Sequence, residues 1–417
     1  MKVFVLNIEG EPLMPTTPAR ARKMLKADRA KVVKRTPFTI QLKERTKEYK
    51  QEIILGVDAG SKIVGMSAVI DKEELYSSET VLRNDIVDLL ATRKACRNNR
   101  RGRKTRYRQA RFLNRKKGKG WLAPSVRHKI DSHLKLVSEV HKILPVTKII
   151  VETASFDTQK LKNPEISGKE YQQGEQLGFW NIREYVLFRD NHTCQHCKGK
   201  LKDKILNVHH LESRKTGGDS PNNLITLCET CHKAYHRGKI DLKQKRGISF
   251  RDATFMGIMR WAFYKKLKVL YCDVSMTFGY ITKNTRITND LPKEHRIDAL
   301  CITGNPLVKQ SDVWYYQKFV RKNNRQLHKM NFKNGVRRKN KAEYKVFGFK
   351  LFDKVLYENK EYFVFSRRKS GIFLIKDLQD NHTERTYRKL KLLEQSDGLL
   401  TERRINTLSY CGCYGDW

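Results

Sequence analysis

The sequence predicts an α/β fold in which one domain is interrupted by two insertions and flanked by small basic regions. Apolar runs typical of buried strands end at Asp58 and at Glu152, and a further run at 266–274 predicts another strand. Helical patterns occur at 123–143 and 293–304. Because these pieces are scattered along the chain, we infer that inserted segments separate parts of a single domain.

The net charge indicates the kind of partner. Lys and Arg total 86 of the 417 residues against 44 Asp and Glu, a formal net charge of +42. Such an excess repels itself in a compact protein unless a polyanion neutralises it, so nucleic acid is the predicted partner. No run of about 18 apolar residues occurs, and no membrane partner is predicted.

Cysteine usage favours metal binding over disulfides. The chain has nine cysteines, an odd number, and four of them form two Cys-x-x-Cys pairs, which suits a metal site in a reducing compartment. The first residues lack the apolar core of a signal peptide, so the predicted location is the cytoplasm.

The first 50 residues predict a small basic module. A strand-like run at 3–8 precedes a break at 11–20, a basic helix at 21–33 and a second strand at 38–43. From the pattern alone, a plain αβ appendage is an equally good interpretation.

The first insertion, 92–120, is strongly basic. It holds fourteen Lys and Arg between Arg93 and Lys119 and no acidic residue. Several of them recur every three or four residues, so a helix would align them on one face that binds phosphates. They are Arg93, Arg97, Arg101, Lys104, Arg108, Arg111 and Arg115. A disordered basic tail is the alternative, but the apolar residues within the segment favour packing.

The second insertion, 171–245, has the spacing of a zinc site. Cys194 and Cys197 form one pair, and Cys228 and Cys231 form the other. Four thiolates make a closed tetrahedral cage, which predicts a structural zinc. The cysteines alone leave open a zinc ribbon that binds nucleic acid without cutting it.

Two adjacent histidines lie between the cysteine pairs, and on an extended strand their side chains point to opposite faces. The stretch "VHHLESRKTGGDSPNNLITLCETCHKAYH" resembles the HNH nuclease motif, a ββα-metal finger. The resemblance implies that His210 is the general base, that Asn223 braces its loop, and that His209 and His232 bind a divalent cation. His236, one turn beyond His232, is a further candidate ligand.

Four other residues predict a second site. Asp58 and Glu152 end strands, while His295 and Asp298 share one face of a predicted helix. Converging carboxylates hold pairs of divalent ions in enzymes that cut phosphodiesters. Taken singly, each residue is better explained by a structural role.

The order of these segments resembles the split RuvC nuclease domain, which has an RNase H-like fold, and "EPLMP" resembles the PLMP motif. Together they resemble the IscB family of transposon-encoded RNA-guided nucleases, although "DAGSK" has Ala59 where proline is expected. The resemblance implies a PLMP domain at 1–50, RuvC segments at 51–91, 121–170 and 246–305, a bridge helix at 92–120, an HNH domain at 171–245, and a C-terminal domain at 306–417 that binds guide RNA and the target-adjacent motif. Alternating residues at 346–377 predict short strands there, in a pattern that suits a small barrel.

The resemblance also implies the function. A monomeric ribonucleoprotein with a long structured guide RNA would cleave double-stranded DNA in a prokaryotic cytoplasm, with access to the nucleoid. The HNH site would cut the guide-paired strand and the RuvC site the displaced strand, with Mg2+ or Mn2+ at both sites. Two alternatives remain: a protein-guided HNH endonuclease of restriction or homing type, and a non-cleaving RNA-binding transposon accessory.

Overall fold

The structure is a computed structural model that describes residues 2–46, 49–101, 118, 120–153, 179, 181–201, 203–212, 219–242, 251–321, 328–330, 337–339 and 343–406. The chain divides into two units, one comprising Met1–Ala154 and Ile258–Trp417 and the other comprising Ser155–Gly257. Among the described helices, none is both long and apolar enough to cross a membrane.

The described helices are α1 (Pro18–Lys26), α2 (Ile86–Arg101), α3 (Pro124–His141), α4 (Ile182–Arg189), α5 (Glu229–His236), α6 (Arg251–Leu270), α7 (Gly279–Thr288) and α8 (His295–Ile302). The described strands are β1 (Val3–Leu6), β2 (Pro12–Thr16), β3 (Ala30–Lys34), β4 (Thr39–Leu42), β5 (Ile54–Asp58), β6 (Ile63–Val69), β7 (Glu74–Val81), β8 (Lys148–Thr153), β9 (Leu206–His210), β10 (Leu224–Cys228), β11 (Val274–Phe278), β12 (Val313–Phe319), β13 (His328–Met330), β14 (Arg337–Lys339), β15 (Lys354–Tyr357), β16 (Lys360–Arg367), β17 (Ile372–Lys376), β18 (His382–Thr386), β19 (Lys391–Glu394) and β20 (Leu399–Ile405).

The N-terminal module is a four-stranded sheet in the order β2-β1-β4-β3, covered by α1. The predicted helix at 21–33 is wrong in its second half, because α1 ends at Lys26 and β3 follows. Asp28 takes a left-handed conformation with φ of 55°, which breaks the helix, and the β-branched Val32 then pairs with Ile40 of β4. The predicted break at 11–20 contains β2.

A seven-stranded sheet forms the centre of the larger unit, in the order β11-β8-β5-β6-β7-β12-β20. Strands β5, β8 and β11 run parallel, whereas β6 runs antiparallel to both β5 and β7. The predicted α/β class is therefore confirmed. The strand predicted at 266–274 is wrong, because residues up to Leu270 belong to α6 and β11 begins at Val274. The cause is the helical spacing of three fully buried residues, Met259, Phe263 and Leu267, which anchor α6.

Two glycines allow α8 to lie directly on this sheet. A Cβ on Gly56 of β5 would lie 2.1 Å from the carbonyl oxygen of Ala299, and one on Gly65 of β6 would lie 1.9 Å from that of His295. Any side chain at either position would push the helix away. The close approach brings the start of α8 to the end of β5.

The segment 306–417 contributes described strands to three sheets, one of which is the short antiparallel pair of β13 and β14. Its described strands β12 and β20 pair with each other, and β12 also extends the central sheet beside β7. In the sequence between β12 and β20, five strands form an antiparallel sheet in the order β18-β17-β16-β15-β19, packed around Val355, Val364 and Phe373. The predicted short strands are present, but the described sheet is open because β18 does not pair with β19.

In the smaller unit, β9 and β10 form an antiparallel hairpin followed by α5. Its described core contains Cys194, Cys228 and Cys231 together with Ile225 and Leu227. A second small cluster packs α4 against the other side of β10.

Candidate functional site

The four predicted zinc ligands form a cysteine cluster. The sulfur atoms of Cys194, Cys197, Cys228 and Cys231 all lie within 4.8 Å of one another. Cys228 ends β10 and Cys231 lies in the first turn of α5, so the hairpin and the helix are joined at the cluster. Four converging thiols in a largely buried setting are the donor set of a structural zinc, and the residues fit that ion.

A second group of side chains close enough together to hold one metal ion is the histidine cluster, formed by His209, His232 and His236. One ring nitrogen from each lies within 4.8 Å of the others, and the Nε2 atoms of His232 and His236 are 3.3 Å apart. Nε2 of His209 is buried and has no hydrogen-bond partner within the described residues. Burial, followed by the charges of the two neighbouring histidines, lowers the pKa of His209 to about 4. A neutral imidazole nitrogen aimed at two others is the form that binds a divalent cation.

His210 lies on the opposite face of β9 and outside the histidine cluster. Its Nε2 lies 2.9 Å from Oδ1 of Asp219. Sequence reasoning missed Asp219, because no spacing rule marks an aspartate in the "GGDSPNN" stretch.

Asn223 fixes the loop that follows His210. Its buried side chain accepts a hydrogen bond from the amide of Glu212 at 2.9 Å and donates one to the Glu212 carbonyl at 3.0 Å. Its own carbonyl accepts from the Leu211 amide at 2.8 Å. The chain therefore leaves the end of β9 in one defined direction.

Asp58, Glu152 and Asp298 form what we name the carboxylate site. The register of β5 and β8 pairs Val57 with Val151, so Asp58 and Glu152 stand side by side at the same edge of the sheet. From α8, His295 brings its Nδ1 to 2.6 Å from Oδ2 of Asp58.

Two arginines that sequence reasoning missed contact the other two carboxylates. Arg260 Nη1 of α6 lies 3.0 Å from Glu152 Oε1, and Arg286 Nε of α7 lies 3.0 Å from Asp298 Oδ1. Among the described residues, three or more possible ligand atoms lie within 4.8 Å of one another in the cysteine cluster and in the histidine cluster. The oxygens of the three carboxylates do not all lie that close together. Nothing in the local sequence distinguishes these arginines from the many others.

The three carboxylates nevertheless interact electrostatically. Burial raises the pKa of Glu152; Arg260 opposes this effect, and the negative charges of Asp58 and Asp298 add to it. Burial, with the charge of Asp58 next, also raises the pKa of Asp298. The hydrogen bond to Asp58 raises the pKa of His295. A cation relieves the mutual repulsion of carboxylates, and carboxylate oxygens are the ligand type that Mg2+ and Ca2+ prefer.

Three side chains contact the turn after Asp58. Arg260 Nε donates to the carbonyl of Ala59 at 2.9 Å, and Lys129 Nζ donates to that of Ser61 at 2.5 Å. His133, fully buried on α3, has its Nε2 3.2 Å from the Gly60 oxygen. In this turn two carbonyls therefore accept hydrogen bonds from cationic side chains, and the third lies beside a buried imidazole.

Only part of the predicted arginine face lies within the described residues. Helix α2 carries exposed side chains of Arg93 and Arg97, and Arg101 is its last residue. Four predicted positions lie outside the described residues, namely Lys104, Arg108, Arg111 and Arg115.

Comparison with known proteins bears on both units. A model of the RRXRR protein family matches residues 3–174, and an HNH endonuclease model matches residues 194–238. No curated protein matches the sequence. Two crystal structures of Streptococcus thermophilus Cas9, in complex with the AGGA PAM and with the AGAA PAM, match with 13% and 12% identity and a TM-score of 0.34. Each match covers 50% of this chain and 30% of the Cas9 chain. The chain therefore carries an HNH endonuclease domain, and this domain holds both the cysteine cluster and the histidine cluster.

Proposed function

We propose that the protein is an RNA-guided endonuclease that cleaves both strands of a DNA target by phosphodiester hydrolysis. The HNH domain cuts the guide-paired strand, and the carboxylate site, as a RuvC-type centre, cuts the displaced strand. The observation that carries the proposal is the geometry of β9, which presents His209 to two other histidines on one face and His210 to Asp219 on the other. One strand thus supplies both a cation ligand and a candidate base.

In the HNH domain, Asp219 orients the base. Because Nε2 of His210 is held by that carboxylate, Nδ1 is left to accept a proton from water. Asn223 keeps the loop after His210 in place, so the imidazole does not swing away from the phosphate. The cysteine cluster joins the hairpin to α5 and so fixes the distance between His209 and the two helical histidines.

In the carboxylate site, Asp58, Glu152 and Asp298 are the cation ligands. Mg2+ or Mn2+ bound at either site supplies Lewis-acid stabilisation of the charge that develops on the phosphate oxygens. His295, hydrogen-bonded to Asp58, would move a proton at the attacking or departing oxygen. Arg260 contacts both Glu152 and the turn after Asp58 and so fixes their relative position.

The guide is proposed from charge and domain organisation. A net charge of +42 suits a partner as large as a long structured RNA, and the exposed Arg93 and Arg97 lie on the helix that resembles a bridge helix. Base pairing would then provide sequence specificity, while the protein contacts the heteroduplex backbone and a short flanking motif. A monomeric ribonucleoprotein in a prokaryotic cytoplasm, with access to the nucleoid, is the form proposed.

Sequencing the RNA that copurifies with the expressed protein tests the guide. We expect one long RNA with a variable end, and Mg2+-dependent cleavage of duplex DNA that matches this end. A protein that purifies free of RNA and still cuts duplex DNA at a fixed sequence would contradict RNA guidance.

A second candidate is an endonuclease in which the HNH domain alone cuts. The pairing of Glu152 with Arg260 and of Asp298 with Arg286 favours it, because these ion pairs give the carboxylates a purely structural use. In that case Asp58→Ala would leave the cleavage of every strand unchanged.

A further inference from the structure

Two exposed aromatic side chains flank Gly279, where β11 passes into α7. Phe278 is 36% exposed and Tyr280 is 66% exposed. Their rings are nearly parallel, with an interplanar angle of 11° and centroids 6.1 Å apart. We name this pair the aromatic shelf. Large aromatic side chains bury most of their area in folded proteins, so two parallel exposed rings at one point of the surface call for a partner.

The aromatic shelf lies beside the carboxylate site. A Cβ on Gly279 would lie 3.2 Å from Oε1 of Glu152. The register of β11 and β8 pairs Thr277 with Glu152 and Phe278 with Thr153. The two aromatic residues are therefore the immediate chain neighbours of the glycine that packs against a carboxylate ligand.

The surroundings of the aromatic shelf carry polar and basic groups. Lys283 and Asn284 follow Tyr280 by three and four residues on α7, on the same helical face, and both are exposed. The other face of α7 turns inward, where Thr282 is buried and Arg286 contacts Asp298. Aromatic rings with an adjacent ammonium and amide match a base and its phosphate better than an apolar protein surface, which would leave Lys283 without an anion.

We propose that the aromatic shelf stacks unpaired bases of the DNA strand whose phosphate is cut at the carboxylate site. This inference rests on the proposed function and adds the contact that positions the strand. Stacking uses the face of a base, which every base has, so the contact tolerates any sequence. A base inside a duplex has both faces covered, so the aromatic shelf selects a single strand.

Fluorescence of 2-aminopurine tests the stacking directly. The purified ribonucleoprotein is titrated, with Ca2+ in place of Mg2+, into a single-stranded oligodeoxynucleotide that contains one 2-aminopurine, whose emission falls when the base stacks on an aromatic ring. We expect the Phe278→Ala and Tyr280→Ala variants each to weaken binding about tenfold and to lose most of the quenching. Tyr280→Trp restores quenching because indole also stacks. Tyr49→Ala, which removes a ring that is 72% exposed elsewhere, is the matched control and leaves both readouts unchanged.

The outcomes separate this inference from the proposed function. Equal quenching by wild type and both alanine variants, with unfolding midpoints also equal, overturns the aromatic shelf, whether or not the displaced strand is cut. No quenching by wild type overturns it as well, since the rings then do not stack on the base. Loss of quenching in the variants supports the aromatic shelf even if the wild-type protein cuts neither strand, a result that would refute the proposed function alone.

Discussion

Replacing Arg260 with methionine tests whether a buried cation holds the carboxylate site together. Arg260 contacts Glu152 at 3.0 Å and donates to the Ala59 carbonyl at 2.9 Å, and the two paired side chains are only 11% and 12% exposed. Methionine keeps much of the aliphatic stem but neither the charge nor the donors. Glu152 would then be left as a nearly buried carboxylate without its ion-pair partner.

The expected cost follows from this burial. Removing one partner of a buried ion pair costs about 3–5 kcal/mol, because the remaining charge is uncompensated. The lost hydrogen bond to Ala59 costs about 1 kcal/mol more. Protonation of Glu152 offsets part of this energetic cost, since burial already raises its pKa. We therefore expect the free energy of unfolding to fall by about 3 kcal/mol at neutral pH.

Urea unfolding followed by circular dichroism measures the change, with Lys266→Met as the matched control. Lys266 is on the same helix and pairs with Asp131 at 3.4 Å, but these side chains are 45% and 59% exposed, so its loss should cost under about 1 kcal/mol. Adding Glu152→Gln should recover part of the loss caused by Arg260→Met, because no unpaired charge remains. Equal destabilisation by Arg260→Met and Lys266→Met, or simple additivity with Glu152→Gln, would show that the Arg260–Glu152 pair does not hold the carboxylate site together.

Three further predictions concern other parts of the chain. Burial lowers the pKa of His133 from 6.5 to about 4, so between these pH values the unfolded chain binds a proton that the folded chain does not. The contribution of neutral His133 to the free energy of unfolding is fully present above pH 6.5, and up to about 3 kcal/mol of it is lost as the pH falls towards 4. His133→Gln should flatten this part of the curve of unfolding free energy against pH, and an unchanged slope would contradict it. Cys228→Ser should lose the bound zinc and lower the melting temperature, whereas Cys272→Ser, at an exposed cysteine, should do neither; metal analysis of both proteins decides. Replacing Arg93 and Arg97 with glutamine should weaken guide binding and reduce the slope of its salt dependence by about 0.7–0.9 for each phosphate that the protein no longer neutralises. Binding curves at several salt concentrations measure this slope, and an unchanged slope would contradict the prediction.

The residues that carry the chemistry of the site were easier to predict from the sequence than the residues that hold them in place. Asp58 and Glu152 could be found because apolar runs end at a sheet edge, and parallel strands bring such ends together. The cysteine cluster could be found because two short Cys-x-x-Cys spacings define a cage without knowledge of the fold. In these cases the local pattern itself identifies the residues.

The errors arose where tertiary contacts decide. The run at 266–274 has enough apolar residues for a strand, but residues up to Leu270 are helical because α6 is anchored by contacts set by earlier residues such as Phe263. Arg260 and Arg286 could not be singled out in a chain with 86 basic residues, since their roles depend on which carboxylates the fold brings near. Asp219 was missed for the same reason, because its partner His210 becomes a neighbour only when β9 and the following loop have formed.

Strand-resolved cleavage of a guide-matched duplex, with each DNA strand labelled separately, measures whether each of the two proposed nuclease centres cuts its own strand. We expect Asp58→Ala to nick only the guide-paired strand and His210→Ala to nick only the displaced strand, while the wild-type protein cuts both. Cutting of both strands by either variant would contradict the assignment of one strand to the HNH domain and the other to the carboxylate site.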